Sequence, residues 1–306
     1  MRMLIVGAGS TGGYFGGRLA QAGRDVTFLV RPARAARLRA AGLEIISPHG
    51  GVTLHPEVVT AGGIAAPFDA VLLTVKAFSL GAAMDDLASA VGPATMILPV
   101  LNGMRHMDLL AARFGKEAVI GCVCKVATML DEQGRIVQLS PLQEVVYGEL
   151  DEAPSGRTGE LDVFMRGAGF DARLSSTISR EMWEKWVLLA TLGGINSLMR
   201  GTIGEIEKAG GAELALQLLA ECAAVSTAAG HKPSEAFLAS ATAAVTAKGS
   251  PLTSSMYRDL QAGMAVEADQ ILGDLLLHAR ALGVPAPMLA TAFTHLKVHQ
   301  NRLPAG

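Results

Sequence analysis

The feature that most constrains the fold of this chain is a glycine-rich turn directly after its first apolar run. Residues 3–6 read Met-Leu-Ile-Val, and Gly7, Gly9 and Gly12 follow with the spacing GxGxxG. The apolar run predicts a buried strand, and residues 11–22 are compatible with a helix. Glycines at this spacing allow a tight turn, a close approach of backbone to phosphate, and close packing of helix on strand. The pattern therefore predicts a dinucleotide site whose pyrophosphate faces the N–H groups at the start of the helix.

The residue at the end of the second predicted strand indicates which dinucleotide binds. This strand covers residues 25–30 and is followed by Arg31. Sites for NAD usually carry Asp or Glu at about this point, where the carboxylate binds the ribose 2′-hydroxyl. A guanidinium suits a 2′-phosphate instead, because it forms charge-assisted, bidentate hydrogen bonds. We therefore expect NADP(H) as the cofactor. The alternative is a purely structural glycine turn with a solvated Arg31.

Composition excludes several classes of protein. The 306 residues are half apolar and 18% charged, which suits two domains with sizeable cores. A formal net charge of −2 without basic blocks argues against nucleic acid as the main partner. No unbroken apolar stretch of about 18 residues is present, so we expect no membrane span. Glycines interrupt the N-terminal apolar run and no small-residue cleavage site follows it, so we expect no signal peptide. Three cysteines suggest a reducing compartment, here the cytoplasm, and their spacing predicts no metal site.

The order of apolar and helix-like segments predicts the fold class. Candidate strands cover residues 3–6, 26–30, 70–75, 95–99 and 119–125, and helix-like segments separate them. This alternation is typical of an α/β fold with a parallel, doubly wound sheet. After Ser175 the strand signals disappear, and we expect helices that begin at Ser179, at residue 212, near Ser234 and at residue 266. We therefore predict a Rossmann-type domain over residues 1–175 and an all-helical domain over residues 176–306.

Two polar residues follow predicted strands of the first domain. Lys76 ends the strand of residues 70–75, and Asn102 follows the strand that ends near Leu101. Ligands of open α/β sheets bind beyond the carboxyl ends of the strands, so both side chains are candidates for the cofactor site. The alternative for Asn102 is an ordinary Asn-Gly turn.

Three polar residues of the second domain lie in apolar surroundings. Lys185 lies between Trp183 and Trp186, and burial there would favour a proton donor; the alternative is a lysine at the helix rim. Ser255 and Glu267 are twelve residues apart, which is about 18 Å along one helix, so a break is needed to bring them together. Gly263 would provide it. The alternative is that Ser255 caps a helix and that Glu267 is solvated.

Taken together, these segments resemble the ketopantoate reductase (2-dehydropantoate 2-reductase) family over nearly the whole chain. The matching segments are Gly7-Ala8-Gly9-Ser10-Thr11-Gly12, Arg31, Thr74-Val75-Lys76, Leu101-Asn102-Gly103-Met104, Trp183-Glu184-Lys185 and Thr253-Ser254-Ser255-Met256 through Glu267. Their order along the chain makes the match specific, although each segment alone is a weak signal.

The resemblance implies the roles of the site residues. NADPH would lie across the edge of the N-terminal sheet, and hydride would pass to the ketone carbon of a 2-oxo acid. Lys185 would protonate the developing alkoxide, Glu267 would orient Lys185, and Ser255 would hold the substrate carboxylate. Asn102 and Lys76 would border the nicotinamide and the reacting carbonyl. The cofactor-binding residues are then Gly7, Gly9, Ser10, Thr11, Gly12, Arg31, Lys76, Asn102 and Glu267.

Four positions depart from the family pattern. Leu189, Gly193, Ile203 and Leu252 stand where the family carries asparagines on the substrate side. Two substrates therefore stay open: 2-dehydropantoate, reduced to pantoate in pantothenate biosynthesis, and a more apolar 2-oxo acid. A protein that only senses NADP(H) is a third hypothesis, but the retained Lys185 and Glu267 argue against it. The expected partner is a small-molecule substrate, and a homodimer is a possible assembly of the chain.

Overall fold

The computed structural model describes residues 1–303, and the chain divides into two units. The first unit contains Met1–Leu101 and His106–Ser179. The second contains Asn102–Arg105 together with the chain from Arg180 onward. A four-residue segment between the two parts of the first unit therefore belongs to the second.

The first unit contains ten strands and five α-helices among the described residues. The strands are β1 (Arg2–Val6), β2 (Asp25–Leu29), β3 (Leu43–Ile46), β4 (Val52–Leu54), β5 (Glu57–Val59), β6 (Ala70–Leu73), β7 (Met96–Pro99), β8 (Gly121–Leu130), β9 (Ile136–Gly148) and β10 (Asp171–Leu174). The helices are α1 (Ser10–Gln21), α2 (Pro32–Ala41), α3 (Leu80–Asp86), α4 (Arg105–Phe114), whose first residue belongs to the second unit, and α5 (Gly156–Met165).

Five parallel strands form the sheet that carries the glycine turn. Their order is β5-β2-β1-β6-β7, so β1 lies in the middle with β2 and β6 on either side. Residues 3–6 of β1 are buried, which explains why this strand is apolar throughout rather than alternating. The predicted α/β fold with a Rossmann-type sheet is confirmed.

A second sheet receives one strand that the sequence pattern assigned to the first. Residues 121–130 form β8, which pairs antiparallel with β9, and only Val119 forms an isolated bridge to Ile97 of the parallel sheet. The prediction of a further parallel strand at residues 119–125 is therefore wrong. A tight turn at Asp131–Gly134, where the Gly134 N–H donates to the Asp131 carbonyl, joins β8 directly to β9. The local hairpin forms because its two strands are adjacent in sequence.

The second unit is helical from Arg180 to the last described residue, Leu303, without a strand in that range. Its elements are α6 (Ile178–Met199, beginning in the first unit), α7 (Ile203–Lys208), α8 (Ala212–Ala228), α9 (Glu235–Val245), α10 (Ser255–Gln261), a π-helix (Asp269–Gly273), α11 (Asp274–Ala281) and α12 (Pro287–Gln300). Within residues 1–303, no helix is both long and apolar enough to cross a membrane.

The sequence predicted a serine cap at the start of two helices, and the structure has only one of these caps. Ser234 caps α9, because its hydroxyl accepts a hydrogen bond from the Phe237 N–H. The predicted cap at Ser179 is wrong, since α6 already begins at Ile178. The Ser179 hydroxyl instead donates to the carbonyl of Leu150 at 3.0 Å.

Candidate active site

The glycine turn between β1 and α1 leaves no space at one position and open space at another. Gly7 has φ +98°, a conformation that favours glycine. A Cβ at Gly12 would overlap with the Thr74 Oγ1 and the Gly7 carbonyl oxygen, so only glycine fits there. A Cβ at Gly9 would meet no atom within 4 Å. The turn is thus tightly packed at Gly12 and open at Gly9, next to the N-terminus of α1 at Ser10 and Thr11.

Thr74 holds this turn in place from the end of the neighbouring strand. Its hydroxyl oxygen lies 2.8 Å from the Val6 carbonyl oxygen and 3.1 Å from that of Gly7, and it donates to this pair. Sequence reasoning singled out Lys76 and gave Thr74 no role, although Thr74 lies at the end of the same apolar run. Lys76 itself is exposed and precedes a short 3-10 helix, Ala77–Ser79.

Arginines cluster where β2 leads into α2. Arg31 is exposed and occupies the N-cap position of α2. Arg34 is half-buried, and its Nε donates to the Ala8 carbonyl of the glycine turn at 3.1 Å. Burial and, to a smaller extent, the charge of Arg37 hold the pKa of Arg34 below its usual value. No carboxylate of the described residues pairs with these three arginines, so the cluster fits an anionic group such as a phosphate.

Helix α6 carries Lys185 between two buried tryptophans. The Trp186 indole N–H donates to the Ile271 carbonyl at 2.8 Å, and the Trp183 ring stacks on His231. The Glu184 carboxylate accepts a hydrogen bond from the Ser234 N–H at 2.8 Å. These contacts fix the rotation of α6, and they leave Lys185 half-buried. The sequence predicted a lysine between two tryptophans on this helix, and its role as proton donor stays a prediction.

The structure brings Asn102 and Glu267 together within the second unit. The Asn102 Nδ2 donates to the Glu267 Oε2 at 3.4 Å, a long hydrogen bond, and both residues are half-buried. Gly103 has φ +78°, and a Cβ there would overlap with the Gln270 carbonyl oxygen. The Asn102-Gly103 turn therefore lies directly against the backbone of the π-helix, so that it is more than an ordinary surface turn.

Glu267 lies at the start of the helical run that the sequence predicted over residues 266–282, because Ala268 is the first helical residue and the Glu267 carbonyl accepts the helical hydrogen bond of the Ile271 N–H at 3.0 Å. The π-helix begins at Asp269, and Gly263, with φ +67°, breaks the chain after α10 as the sequence predicts. Between them, the Val266 carbonyl accepts a hydrogen bond from the Gln300 side chain at 2.8 Å. The ring of His299 lies 3.0 Å from the Met264 carbonyl oxygen. Side chains of α12 thus bind carbonyls of the segment that precedes this helix, and sequence periodicity does not register such contacts.

Ser255 is the exposed first residue of α10, and it is not the cap of that helix. The cap is Ser254, whose hydroxyl accepts a hydrogen bond from the Tyr257 N–H at 3.0 Å. The Ser254 N–H in turn donates to the side-chain carbonyl of Asn196 at 3.0 Å. The alternative interpretation of Ser255 as a helix cap is therefore wrong. Sequence reasoning missed Asn196, which is fully buried on α6 and also donates to the Gly201 carbonyl.

The four positions that depart from the family pattern have different surroundings. Ile203 is fully buried in the helical core. A Cβ at Gly193 would overlap with the terminal methyl group of Met256, so the Met256 side chain fills the space beside this glycine. Leu189 and Leu252 are half-buried and pack against the same core. Leu189 and Gly193 follow Lys185 by one and two helical turns, which puts them on the Lys185 face of α6.

Acidic, cysteine and histidine side chains do not form a metal site in the described part of the chain, where no three of them come together suitably. All three cysteines are buried and free of disulfides.

Comparison with known proteins identifies the family. Residues 3–152 match the family model of ketopantoate reductase PanE/ApbA. Residues 177–300 match the model of the C-terminal part of ketopantoate reductase PanE/ApbA. This chain belongs to the ketopantoate reductase family. It is an oxidoreductase that acts on CH–OH groups, and its resemblance to the family is confirmed.

Relatives and solved structures match the chain over nearly its whole length. The uncharacterized oxidoreductase YkpB of Bacillus subtilis is 35% identical over 301 residues, which is 98% of this chain and 99% of that protein. The crystal structure of 2-dehydropantoate 2-reductase from Geobacter metallireducens has a TM-score of 0.88 at 28% identity, with coverage of 97% and 99%. D-mandelate dehydrogenase with NADH and anilino(oxo)acetate has a TM-score of 0.88 at 20% identity and 98% coverage of both chains, a likeness of fold alone.

Proposed function

We propose that this protein reduces a 2-oxo acid to the 2-hydroxy acid with NADPH. The observation that carries the proposal is the contact between Asn102 and Glu267 in the helical unit that also holds Lys185. These residues are distant in sequence, and they supply an amide, a carboxylate and an ammonium group. Such groups suit hydrogen bonding and proton transfer to a carbonyl oxygen.

The first unit supplies the residues that would hold the cofactor. The open position at Gly9 and the start of α1 at Ser10 and Thr11 suit a pyrophosphate. Gly7 and Gly12 shape the turn, and Lys76 follows the neighbouring strand. Arg31, in a cluster without carboxylate partners among the described residues, suits the 2′-phosphate that distinguishes NADPH from NADH. When bound, NADPH supplies the hydride that reduces the ketone carbon.

The second unit supplies the groups that manage charge and proton. As the ketone carbon is reduced, negative charge develops on its oxygen, and the Lys185 ammonium stabilises this charge and then donates a proton to it. Lys185 is left neutral and regains a proton from solvent. Glu267 orients Lys185 and, with Asn102, contacts the substrate and the nicotinamide. The exposed Ser255 hydroxyl donates a hydrogen bond to the substrate carboxylate. We assign these tasks to a cofactor domain, 1–175, and a helical domain, 176–306.

The substrate is either 2-dehydropantoate or a more apolar 2-oxo acid. Leu189, Gly193 and Leu252 offer no hydrogen bond from their side chains, and an unpaired buried hydroxyl costs about 1–3 kcal/mol. Ile203 is enclosed in the core and does not bear on the question. Pantothenate biosynthesis is the role if 2-dehydropantoate is the substrate. The fold is shared with D-mandelate dehydrogenase, an enzyme named for an aryl 2-hydroxy acid, which suits the apolar alternative.

The experiment that tests the function is NADPH oxidation with a panel of 2-oxo acids. We expect a branched aliphatic 2-oxo acid to be reduced with a kcat/KM comparable to that of 2-dehydropantoate or higher, because a site without polar partners does not reject analogues that lack the hydroxyl. A preference of about 10³-fold or more for 2-dehydropantoate would contradict the apolar pocket. Absence of turnover with every acid, despite NADPH binding, would favour a sensor. Oligomeric state, for which we propose a homodimer, is measured on the same preparation.

A further inference from the structure

One buried hydrogen bond ties the helix that carries Lys185 to the segment that carries Glu267. The Trp186 indole N–H donates to the Ile271 carbonyl of the π-helix at 2.8 Å, and the Trp186 side chain is only 1% exposed. A buried indole N–H without a partner would be costly, so this bond fixes where the π-helix lies along α6. Trp186 follows Lys185 directly in the sequence. Any displacement at this bond therefore changes the distance between the two segments.

The hydrogen bond continues through the backbone to Glu267. The Ile271 residue that accepts from Trp186 also donates its own N–H to the Glu267 carbonyl at 3.0 Å. The π-helix that follows has an i to i+5 bond, in which the Asp274 N–H donates to the Asp269 carbonyl. Such wide turns are uncommon and occur often at functional sites, and the Trp186 indole supports this one from outside the helix. Trp186 provides this support within two hydrogen bonds of Glu267.

The segment Asn102–Arg105 contacts the side chain of Glu267. The Asn102 amide donates to the Glu267 carboxylate, and the Gly103 backbone lies against the Gln270 carbonyl. Trp186 therefore determines where the main chain of Glu267 lies, while Asn102 contacts its side chain. With the backbone displaced, the 3.4 Å contact to Asn102 would lengthen beyond hydrogen-bonding distance.

We propose that Trp186 is a positioning residue, whose indole N–H holds Glu267 in register with Lys185. This inference rests on the proposed roles of Lys185 and Glu267. The indole touches neither substrate nor cofactor in this proposal and acts only through the π-helix. The proposal separates the two tryptophans of α6, since Trp183 stacks on His231 and forms no hydrogen bond through its indole within the described residues.

The test compares Trp186→Phe with Trp183→Phe. Both variants keep an aromatic ring, but only the first loses a hydrogen bond that positions Glu267. We expect Trp186→Phe to lower kcat about 10- to 100-fold, because a misplacement of about 1 Å in a catalytic group costs rate on that scale. NADPH affinity should change much less than kcat, because most of the cofactor-binding residues lie in the first unit, and the pH dependence of kcat should shift because Glu267 no longer orients Lys185. Trp183→Phe should keep both the kcat and the pH profile of the parent.

Two further measurements keep the outcome decisive. If Trp186→Phe does not fold, benzothienylalanine at position 186 replaces the N–H by sulfur with nearly the same shape. Crystal structures of either variant show whether the Glu267 carboxylate has moved away from Asn102. Parent-like kcat and an unmoved Glu267 would overturn the proposal. If the parent reduces no 2-oxo acid, the proposed function fails, and the position of Glu267 in the variant structure alone decides the inference.

Discussion

At the scale of single residues, the charged side chains of α6 divide between structure and the proposed chemistry. Glu184 accepts a hydrogen bond from the first turn of α9, and the tryptophans around it are buried. Lys185 lies between these anchored neighbours and is half-buried. Because its helix is anchored on both sides of it, the backbone of Lys185 has a fixed position, which suits a group that must meet a reacting oxygen.

Replacing the proposed proton donor should abolish most turnover. We expect Lys185→Ala to lower kcat about 10²-fold or more, because positioned general acid catalysis contributes on that scale. The Kd for NADPH should stay at the parent value, since Lys185 is not among the residues assigned to the cofactor. Lys208→Ala, an exposed lysine at the end of α7, is the control and should leave kcat unchanged. Near-normal turnover of Lys185→Ala would leave the mechanism without a proton donor.

Cofactor preference should depend on Arg31. Loss of a charge-assisted contact is worth about 1.5–3 kcal/mol, so Arg31→Ala should weaken NADPH binding at least about tenfold and leave NADH binding nearly unchanged. The measurement is the Kd of both cofactors for the parent and the variant. Arg39→Ala, at the other end of α2, serves as the control. Equal affinities of the parent for NADPH and NADH would contradict the assignment of NADP(H).

At the scale of elements, the sequence predicted best where the chain's neighbours in space are also its neighbours in sequence. The β1 strand, the glycine turn and α1 follow one another directly, and all three form as their pattern indicates. The helix predicted from residue 266 begins two residues later, at Ala268, and the Val266 carbonyl before it bonds to the side chain of Gln300, more than thirty residues later in the sequence, which no local pattern registers. The Trp186 bond and the Thr74 hydroxyl were missed for the same reason: each depends on a carbonyl group that is distant in sequence.

Two glycines of the turn should respond oppositely to the same substitution. Gly12→Ala should lower the free energy of unfolding by about 1–3 kcal/mol, because the methyl group overlaps with Thr74 and the Gly7 carbonyl. Gly9→Ala should fold normally, since its Cβ meets nothing within 4 Å. It should nevertheless weaken NADPH binding about tenfold or more by filling the space that the phosphate needs.

The comparison uses far-UV circular dichroism for stability and a cofactor titration for affinity. Both tryptophans lie in the second unit, whereas the glycine turn lies in the first. Tryptophan fluorescence would therefore report mainly on unfolding of the second unit. If Gly9→Ala binds NADPH with the affinity of the parent, the assignment of the glycine turn to the cofactor site is wrong. Parent-like stability in Gly12→Ala would show that Thr74 moves aside.

At the scale of the whole molecule, the sequence predicted two units of different class, but not the division of the chain between them. The loss of strand signals after Ser175 is a local property, and the helical run from Arg180 follows from it. The assignment of Asn102–Arg105 to the second unit depends on contacts with the π-helix and on the ion pair of Arg105 with Asp274 at 3.8 Å. No pattern within four residues carries that information.

Stability against acid should depend on a bidentate ion pair in the first unit. The Arg157 guanidinium donates to both oxygens of Glu149, at 2.8 and 2.7 Å. These hydrogen bonds, with a further one from Ser155, hold the pKa of Glu149 below its usual range. Because the pKa is depressed in the folded state, the stabilisation is present above the unfolded pKa and is lost as pH falls through the folded pKa.

Glu149→Gln should therefore lower the free energy of unfolding by about 1–2 kcal/mol at neutral pH. The difference from the parent should shrink below about pH 4, where the unfolded glutamate becomes protonated. Urea unfolding at several pH values measures this, with Glu160→Gln, an exposed glutamate on α5, as the control. A difference that stays constant down to pH 3 would mean that charge does not contribute.

The early position of Asn102–Arg105 has a consequence for the order in which the chain assembles during synthesis. A ribosome adds about 5–20 residues per second, so Asp274 leaves it roughly 10–30 s after Arg105. Throughout that interval β6 and β7 are complete, but the surface against which Gly103 lies does not yet exist. The segment Asn102–Arg105 is therefore synthesised long before its partners, and Asn102 meets Glu267 only near the end of translation.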